Sequence, residues 1–234
     1  MNPAAPRARR PGRPPRPDSA AMRERLLDTA TALFAEQGVA ATTIAHIAAR
    51  AGVTPAMVHY YFRNRGQLID AVVDERLAPV IAHVWEPVPA DDAVTADPAA
   101  AARECLVLVV QRLAHSAAQR PWLPPLWLHE VVNEAGQLRE RVLRHLPAAR
   151  LHRLTALIEQ GQRQGVIRPG VEPRLAVLSI LGLTLLPLAT ANLWRRLWPE
   201  GARAIDADAI AAHALAVLAG GLFIPHPPGA GGSA

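Results

Sequence analysis

Residues 42–69 read Thr-Thr-Ile-Ala-His-Ile-Ala-Ala-Arg-Ala-Gly-Val-Thr-Pro-Ala-Met-Val-His-Tyr-Tyr-Phe-Arg-Asn-Arg-Gly-Gln-Leu-Ile, and they decide the fold of the amino-terminal part of the chain. Gly52 stands where the chain has to leave a first short helix, and glycine adopts the left-handed conformation of such a turn at little steric cost. Val58 and Phe62 have the i, i+4 spacing of a second helix. Two short helices joined at a glycine predict a helix-turn-helix, whose second helix lies in the DNA major groove. The inward stripe of the first helix is Ile44, Ile47, Ala48 and Ala51.

The residues at the two helix starts are of types that cap helices. Thr42 precedes the first apolar residue, and its hydroxyl is predicted to cap a helix that begins at Thr43. Thr54 is predicted to cap the second helix, whose first turn accommodates Pro55 because no amide hydrogen is needed there. The residues predicted to lie on or near the outward face of the second helix are Ala56, His59, Tyr60 and Arg63.

This stretch resembles the DNA-binding domain of the TetR family of transcriptional repressors. Two positions depart from the commonest family pattern: Ala56 replaces a frequent glycine, and His59 replaces a frequent tyrosine. The operator sequence therefore does not carry over from relatives. The matching residues are Thr43, Ile47-Ala48, Ala51-Gly52-Val53, His59-Tyr60-Tyr61-Phe62, Arg65 and Leu68, with Leu26, Leu27, Ala30, Leu33, Phe34 and Gly38 in the preceding helix.

The resemblance implies a role for each matching position. Thr43 and the amides around it are expected to bind a phosphate, because a helix N-terminus favours an anion. Arg65 is expected to pair with another phosphate, and Tyr60 and Tyr61 to contact both bases and backbone. The residues expected to approach base edges are Thr54, Pro55, Ala56 and His59. Alternatively, Thr54 and Pro55 only start that helix, and one of the two tyrosines only packs. The expected DNA contacts in this unit are Thr43, Thr54, Pro55, Ala56, His59, Tyr60, Tyr61 and Arg65.

Positive charge is concentrated at the amino terminus. All 25 basic residues of the 234-residue chain are arginine. Residues 1–70 hold ten arginines against five acidic residues, whereas residues 71–234 hold fifteen of each. A cationic end on a neutral body is expected of a protein that binds phosphates.

Residues 1–19 interleave arginine with proline and offer nothing apolar to bury, so this arm is predicted to be disordered when free. Its core, Pro11-Gly12-Arg13-Pro14, is similar to an AT-hook without the first arginine. Arg13 is therefore a candidate for insertion into a narrow A·T-rich minor groove. The alternative is a solvated tail that adds only non-specific attraction.

The remaining length predicts a second, larger domain. Alanine and leucine dominate it, and few alternating β-branched runs appear, so it is expected to be helical. The predicted fold class is all-α: a three-helix helix-turn-helix domain at 20–66, a helical ligand-binding and dimerisation domain at 67–224, and a disordered tail at 225–234. Beyond the motif, helices are predicted near 20–37, 66–84, 99–118, 124–134, 137–163, 173–196 and 207–222, with a linker at 86–98.

Residues 175–194 carry no charge, and by length alone they qualify as a transmembrane helix. Pro187 and several polar residues in that segment favour instead a helix buried in a dimer core. With the helix at 207–222 it is predicted to form a four-helix interface, as in the family that the chain resembles. A two-fold dimer in turn implies a palindromic operator. The predicted interface residues are Leu178, Leu181, Leu185, Leu215 and Leu218.

Aromatic residues around a proline-rich turn predict a pocket for a small hydrophobic or planar effector. The candidate lining residues are His115, Trp122, Trp127, His129 and Trp194; alternatively, these side chains only pack in a helical core. Cys105 is predicted to be a buried small hydrophobe; the alternative is a redox switch. It is the only cysteine, so no intramolecular disulfide is expected, which is consistent with a reducing cytoplasm. No metal site, cofactor motif or catalytic constellation is expected.

Together these features predict a cytoplasmic, homodimeric, sequence-specific regulator of transcription that is not an enzyme. Its partners are expected to be double-stranded DNA, a second copy of the chain and a small effector that releases a repressor from its operator, with no membrane partner. The alternatives are a constitutive DNA-binding dimer without a ligand and a helical small-molecule-binding protein. The choice between repression and activation is not encoded in any motif found.

Overall fold

The computed structural model describes residues 19–91, 95–199 and 206–224, and these residues form twelve α-helices and no β-strand. The predicted all-α fold class is confirmed. Arg13, most of the predicted arm and the predicted tail lie outside the described residues. The helices are α1 (Ser19–Ala41), α2 (Ile44–Ala51), α3 (Pro55–Tyr61), α4 (Arg65–Val72), α5 (Ala78–Trp85), α6 (Pro98–Gln119), α7 (Leu123–Trp127), α8 (Arg139–Leu143), α9 (Ala148–Arg163), α10 (Pro173–Ala189), α11 (Ala191–Leu197) and α12 (Ala207–Leu222).

Two π-helical turns interrupt longer helical runs. Val73–Leu77 joins α4 to α5, and Leu128–Val132 continues α7. The predicted helices near 66–84 and 124–134 are therefore present, each with one widened turn. Such turns occur frequently at functional sites.

The helix-turn-helix starts one residue later than the sequence suggests. Thr42 is buried and donates its hydroxyl hydrogen to the carbonyl of Gly38 at 2.8 Å, so it does not cap α2. Thr43 is the capping residue, and its hydroxyl accepts a hydrogen bond from the His46 amide at 3.2 Å. Gly52 ends α2 in the left-handed conformation, with φ 68°, as predicted.

A continuous hydrophobic core runs from the helix-turn-helix into the second domain. In the amino-terminal part, α1 packs against α2 and α4, and α2 packs against α3. In the second part, α6 lies against α9, α10 and α12, while α7 contacts α1. The fully buried side chains at the amino-terminal end include Leu26, Leu27, Phe34, Ile47, Val58 and Leu68.

Two predicted helices are broken. The segment predicted as one helix at 137–163 forms α8 and α9, because Pro147 disfavours helical backbone at the residue before it. The segment predicted at 173–196 forms α10 and α11, which bend by 68° at Thr190. No helix among the described residues is by itself long and apolar enough to cross a membrane, and α10 with α11 qualifies only as this bent pair, by length and composition.

Candidate nucleic-acid interface and effector cleft

The recognition surface is built on α3, which is held by two buried side chains. Val58 is fully buried and Phe62 is 3% exposed, so both fix the inner face of the helix, as predicted. The opposite face is open to solvent. Tyr60 is 76% exposed, and Met57, which sequence reasoning did not select, is 37% exposed. The other exposed residues of this face are Thr54, Pro55, Ala56 and His59.

The two tyrosines of α3 have different environments. Their rings meet edge to face, with centroids 5.1 Å apart and planes at 86°. Tyr61 is half-buried and packs against the core, whereas Tyr60 projects into solvent. Tyr61 therefore packs against the ring of Tyr60 from the protein side. Tyr60 exposes more surface than Tyr61 for contact with a base or sugar.

The two threonines at the helix starts also differ. Thr54 occupies the cap position of α3, but its side chain makes no capping hydrogen bond and is exposed. Thr43 is exposed too, yet its hydroxyl is already an acceptor for the His46 amide. The Thr54 hydroxyl is therefore more available than that of Thr43 for a hydrogen bond to DNA.

Arg65 has partners within the protein. Its half-buried guanidinium donates to the carbonyl oxygen of Val39 and, at 3.4 Å, to that of Thr42. A further nitrogen lies 3.4 Å from Oε1 of Gln137. The predicted contact between Arg65 and a phosphate stays a prediction, and it requires the guanidinium to share or leave these oxygens. Arg63 is exposed and forms no ion pair among the residues that the structure describes.

A bidentate ion pair fastens α1 to the π-helical turn after α4. The guanidinium of Arg23 donates to both carboxylate oxygens of Glu75, at 2.5 and 2.7 Å. This hydrogen bonding holds the pKa of Glu75 below its usual value. The same guanidinium lies 5.1 Å from the centre of the Phe62 ring, at the end of α3. Arg23 thus links three elements that set the position of the recognition helix.

The five predicted effector residues do not line one pocket. Trp122 and His129 lie together in a cleft of about 610 Å³ between α1, α7 and the α10–α11 bend. Trp127 borders a separate space of about 20 Å³ in the centre of the second domain. His115 is exposed and bonded to Gln119, and the Trp194 indole donates to the carbonyl of Pro187 at 2.8 Å. Ligand binding by these residues stays a prediction.

A second cavity, of about 420 Å³, lies between the segment after α5, α6 and α9. Cys105 borders it and is 6% exposed, so the prediction of a buried cysteine is confirmed. Burial raises the pKa of its thiol, which disfavours the reactive thiolate. This environment gives no support to a redox switch at Cys105.

The predicted dimer residues divide between the core and the surface. Leu185 and Leu218 are 2% and 6% exposed, so both are already buried inside the protomer. Leu181 and Leu215 are half-buried, and Leu178 is 60% exposed. The outer surface of α10 and α12 also exposes leucine and valine side chains that sequence reasoning did not select: Leu175, Leu186 and Val217.

Comparison with known proteins identifies both halves of the chain. Residues 26–72 match the family described as bacterial regulatory proteins, tetR family, and residues 103–216 match the tetracyclin repressor-like, C-terminal domain. Together these two matches cover the larger part of the chain.

Individual relatives agree with the family matches. The HTH-type transcriptional regulator BetI of Rhizobium meliloti (strain 1021) is 35% identical over 107 residues, which cover 45% of this chain and 48% of that protein, so the chain spans about half of its length. The probable acrEF/envCD operon repressor of Escherichia coli (strain K12) is 26% identical over 170 residues, which cover 68% of this chain and 71% of that protein.

A solved structure shows the same fold. The transcriptional regulator FadR from Bacillus subtilis, in complex with stearoyl-CoA, superposes with a TM-score of 0.57 at 23% identity, over 85% of this chain and 98% of that one. An exposed recognition face on α3, an amino-terminal match to the regulator family and a carboxy-terminal match to its second domain lead to one conclusion. The chain belongs to the TetR family of bacterial regulatory proteins.

Proposed function

We propose that this TetR-family regulator is a repressor that binds a palindromic operator as a homodimer and leaves it when a small hydrophobic or planar molecule binds. The observation that carries this proposal is the α3 surface, whose inner residues are buried while its outer polar and aromatic groups are exposed to solvent. A preorganised helix of this kind reads base edges in the major groove. The proposed contacts are Thr43, Thr54, Pro55, Ala56, His59, Tyr60, Tyr61, Arg63 and Arg65.

The apolar outer surface of α10 supports the dimer. Leu175 and Leu178 are 58% and 60% exposed, and Leu186 is 49% exposed. Contiguous exposed apolar side chains on one helix mark an interaction surface. A second copy related by two-fold symmetry satisfies this surface and supplies the second recognition helix that a palindrome requires.

The cleft beside Trp122 and His129 supports an effector. Its volume of about 610 Å³ lies in the range of small-molecule sites. The similar FadR from Bacillus subtilis was solved in complex with stearoyl-CoA, so a protein of this fold binds a ligand with a long apolar chain. A ligand in this cleft contacts both α1 and the second domain, and it therefore favours one relative placement of the two over another.

One observation favours a constitutive dimer instead. The space beside Trp127, in the centre of the second domain, is only about 20 Å³, too small for any effector. A thermal-shift screen with planar apolar compounds separates the two functions. If the protein is a ligand-responsive repressor, a compound that binds it raises its melting temperature, because a ligand that binds only the folded state stabilises that state.

Selection from a random DNA library at about 150 mM salt tests the DNA-binding function, because non-specific binding is weak at that ionic strength. Recovery of a palindrome with two similar half-sites is the expected result. Recovery of A·T-rich sequences without a repeated half-site would remove the operator from the proposal and leave the arginine arm as the main DNA contact.

His59→Ala is expected to change which bases are preferred at one position in each half-site. His59 is exposed in the last turn of α3, and an imidazole ring can donate and accept hydrogen bonds at base edges. The selection is repeated with the variant and with His83→Ala, an exposed histidine on α5, as the control. If His59→Ala weakens selected and random DNA equally, His59 contacts the backbone and not a base.

Arg63→Ala is expected to reduce the steepness of the plot of log binding constant against log salt concentration by about one, with unchanged thermal stability, because one phosphate contact is lost. An unchanged slope would remove Arg63 from the phosphate contacts.

Arg65→Ala is expected to lower thermal stability, because the carbonyls of Val39 and Thr42 lose a donor. If it also lowers the salt slope by about one, Arg65 contacts phosphate as the family resemblance implies.

A further inference from the structure

A buried carboxylate joins the two domains. Glu130 lies in the π-helical turn after α7 and is only 5% exposed. One of its oxygens accepts the amide hydrogen of Val39 at 2.7 Å, and the other accepts that of Gln137 at 2.8 Å. Burying a carboxylate is costly unless hydrogen bonds satisfy it, and here two backbone amides do so.

Val39 is held from both sides. Its amide donates to Glu130, and its carbonyl accepts from the guanidinium of Arg65. The same guanidinium reaches Oε1 of Gln137 at 3.4 Å, next to the amide that donates to Glu130. These four residues, Val39, Arg65, Glu130 and Gln137, close a ring of polar contacts that we call the clasp.

The residue before Val39 permits this approach. Gly38 has φ +81°, and a Cβ placed there would lie 3.1 Å from the carboxylate oxygen of Glu130. The Gly38 carbonyl in turn accepts the hydroxyl hydrogen of Thr42, and Thr43 then caps α2. The clasp therefore fixes the point from which the helix-turn-helix starts.

The clasp adjoins the cleft. His129, the residue before Glu130, lines the cleft on one side, and Ala35 and Glu36 of α1, shortly before Gly38, line it on the other. A molecule in the cleft thus contacts both chain segments that the clasp joins. Separation of these segments leaves the buried Glu130 carboxylate without the Val39 donor, which costs the free energy of an unsatisfied buried group.

We propose that Glu130 is a positioning residue: it fixes the helix-turn-helix to the second domain, and occupation of the cleft acts on DNA binding by opening the Glu130–Val39 contact. The DNA-binding part of this inference rests on the proposed function. The positioning part rests only on the contacts of Glu130, and it is tested without DNA.

Glu130→Gln is compared with Glu134→Gln, which removes an exposed carboxylate from the same segment. Backbone ¹⁵N relaxation and thermal unfolding are measured on the full chain. In Glu130→Gln the amides of α2 and α3 are expected to show a shorter effective correlation time than those of α6 and α9. In Glu134→Gln the amides of all four helices are expected to share one correlation time. A lower melting temperature with one common correlation time in Glu130→Gln shows a merely structural role and overturns the proposal.

Operator spacing gives a second measurement. The parent is expected to bind operators with only one distance between half-sites, whereas Glu130→Gln is expected to bind operators with several distances. The affinity of Glu130→Gln for an isolated half-site is expected to be within about twofold of the parent's, because each recognition helix is intact. If the parent selects no palindrome, the proposed function fails while the relaxation result still decides the role of Glu130. Equal spacing preference in parent and variant overturns the inference alone.

A bulky side chain in the cleft replaces the unidentified effector. Ala32→Trp, and Ala189→Trp from the opposite wall, are made in the parent and in Glu130→Gln. Either tryptophan is expected to shorten the correlation time of α2 and α3 in the parent. In Glu130→Gln neither tryptophan is expected to shorten that correlation time further. Shortening of similar size in both backgrounds shows that the cleft acts by another route and overturns its connection to Glu130.

Discussion

Leu178→Arg is expected to be a monomer that binds the selected operator at least about a hundredfold more weakly than the parent, a loss of about 2.7 kcal/mol. Leu178 is 60% exposed on α10, within the apolar surface that we assign to the dimer. An arginine there meets its own copy across the two-fold axis, unpaired and partly desolvated. A monomer has one recognition helix and reads one half-site.

Sedimentation velocity and fluorescence anisotropy with the selected operator measure the two effects. The matched control is Leu143→Arg, which places the same charge on α8 at a leucine that is 49% exposed. That variant is expected to stay dimeric and to keep operator affinity. A dimeric Leu178→Arg protein would show that the subunits meet through another surface.

Gly136→Ala is expected to lower the free energy of unfolding by about 1–3 kcal/mol, the usual cost of an overpacked site. A Cβ at Gly136 would lie 2.5 Å from the carbonyl carbon of Glu130 and closer still to its backbone oxygen. Backbone atoms have no rotamer by which to move aside, so the turn at 133–137 has to shift. That shift displaces the Gln137 amide from the Glu130 carboxylate, and operator binding is expected to weaken as well.

Chemical unfolding followed by circular dichroism measures the change, with Gly170→Ala as the control. Among the described residues, no heavy atom lies within 4 Å of a Cβ built on Gly170, and the φ of Gly170 is not positive. Alanine there is expected to be neutral or to stabilise by up to about 1 kcal/mol, since it restricts the unfolded chain. Equal effects of the two variants would mean that the loop around Gly136 relaxes freely.

The helix-turn-helix was predictable because its signals are local. The stripe that includes Ile47 and Ala51, the left-handed Gly52 and the pair Val58 and Phe62 all act within one or two helical turns. The error at the start of α2 has a local origin as well. Thr42 and Thr43 are both good caps, and burial of Thr42 against Gly38 decides between them.

The clasp was not predictable because its contacts are distant in sequence. Glu130 and the Val39 amide are 91 residues apart, and Arg65 bonds to carbonyls 23 and 26 residues before it. No period or motif marks a carboxylate whose partners are backbone groups of another segment. The same holds for Leu185 and Leu218, because apolar periodicity does not distinguish a helix face buried in its own subunit from one buried against a second.

The aromatic residues are divided between the two functional halves. Both tyrosines, Tyr60 and Tyr61, are on α3, and all five tryptophans lie from Trp85 onward, with Trp122 in the cleft. Tryptophan emission, excited selectively at long wavelength, therefore reports only the second domain, while tyrosine emission reports only the recognition helix. The unlabelled protein carries separate optical probes for effector and operator, and one titration can follow the order in which the two respond.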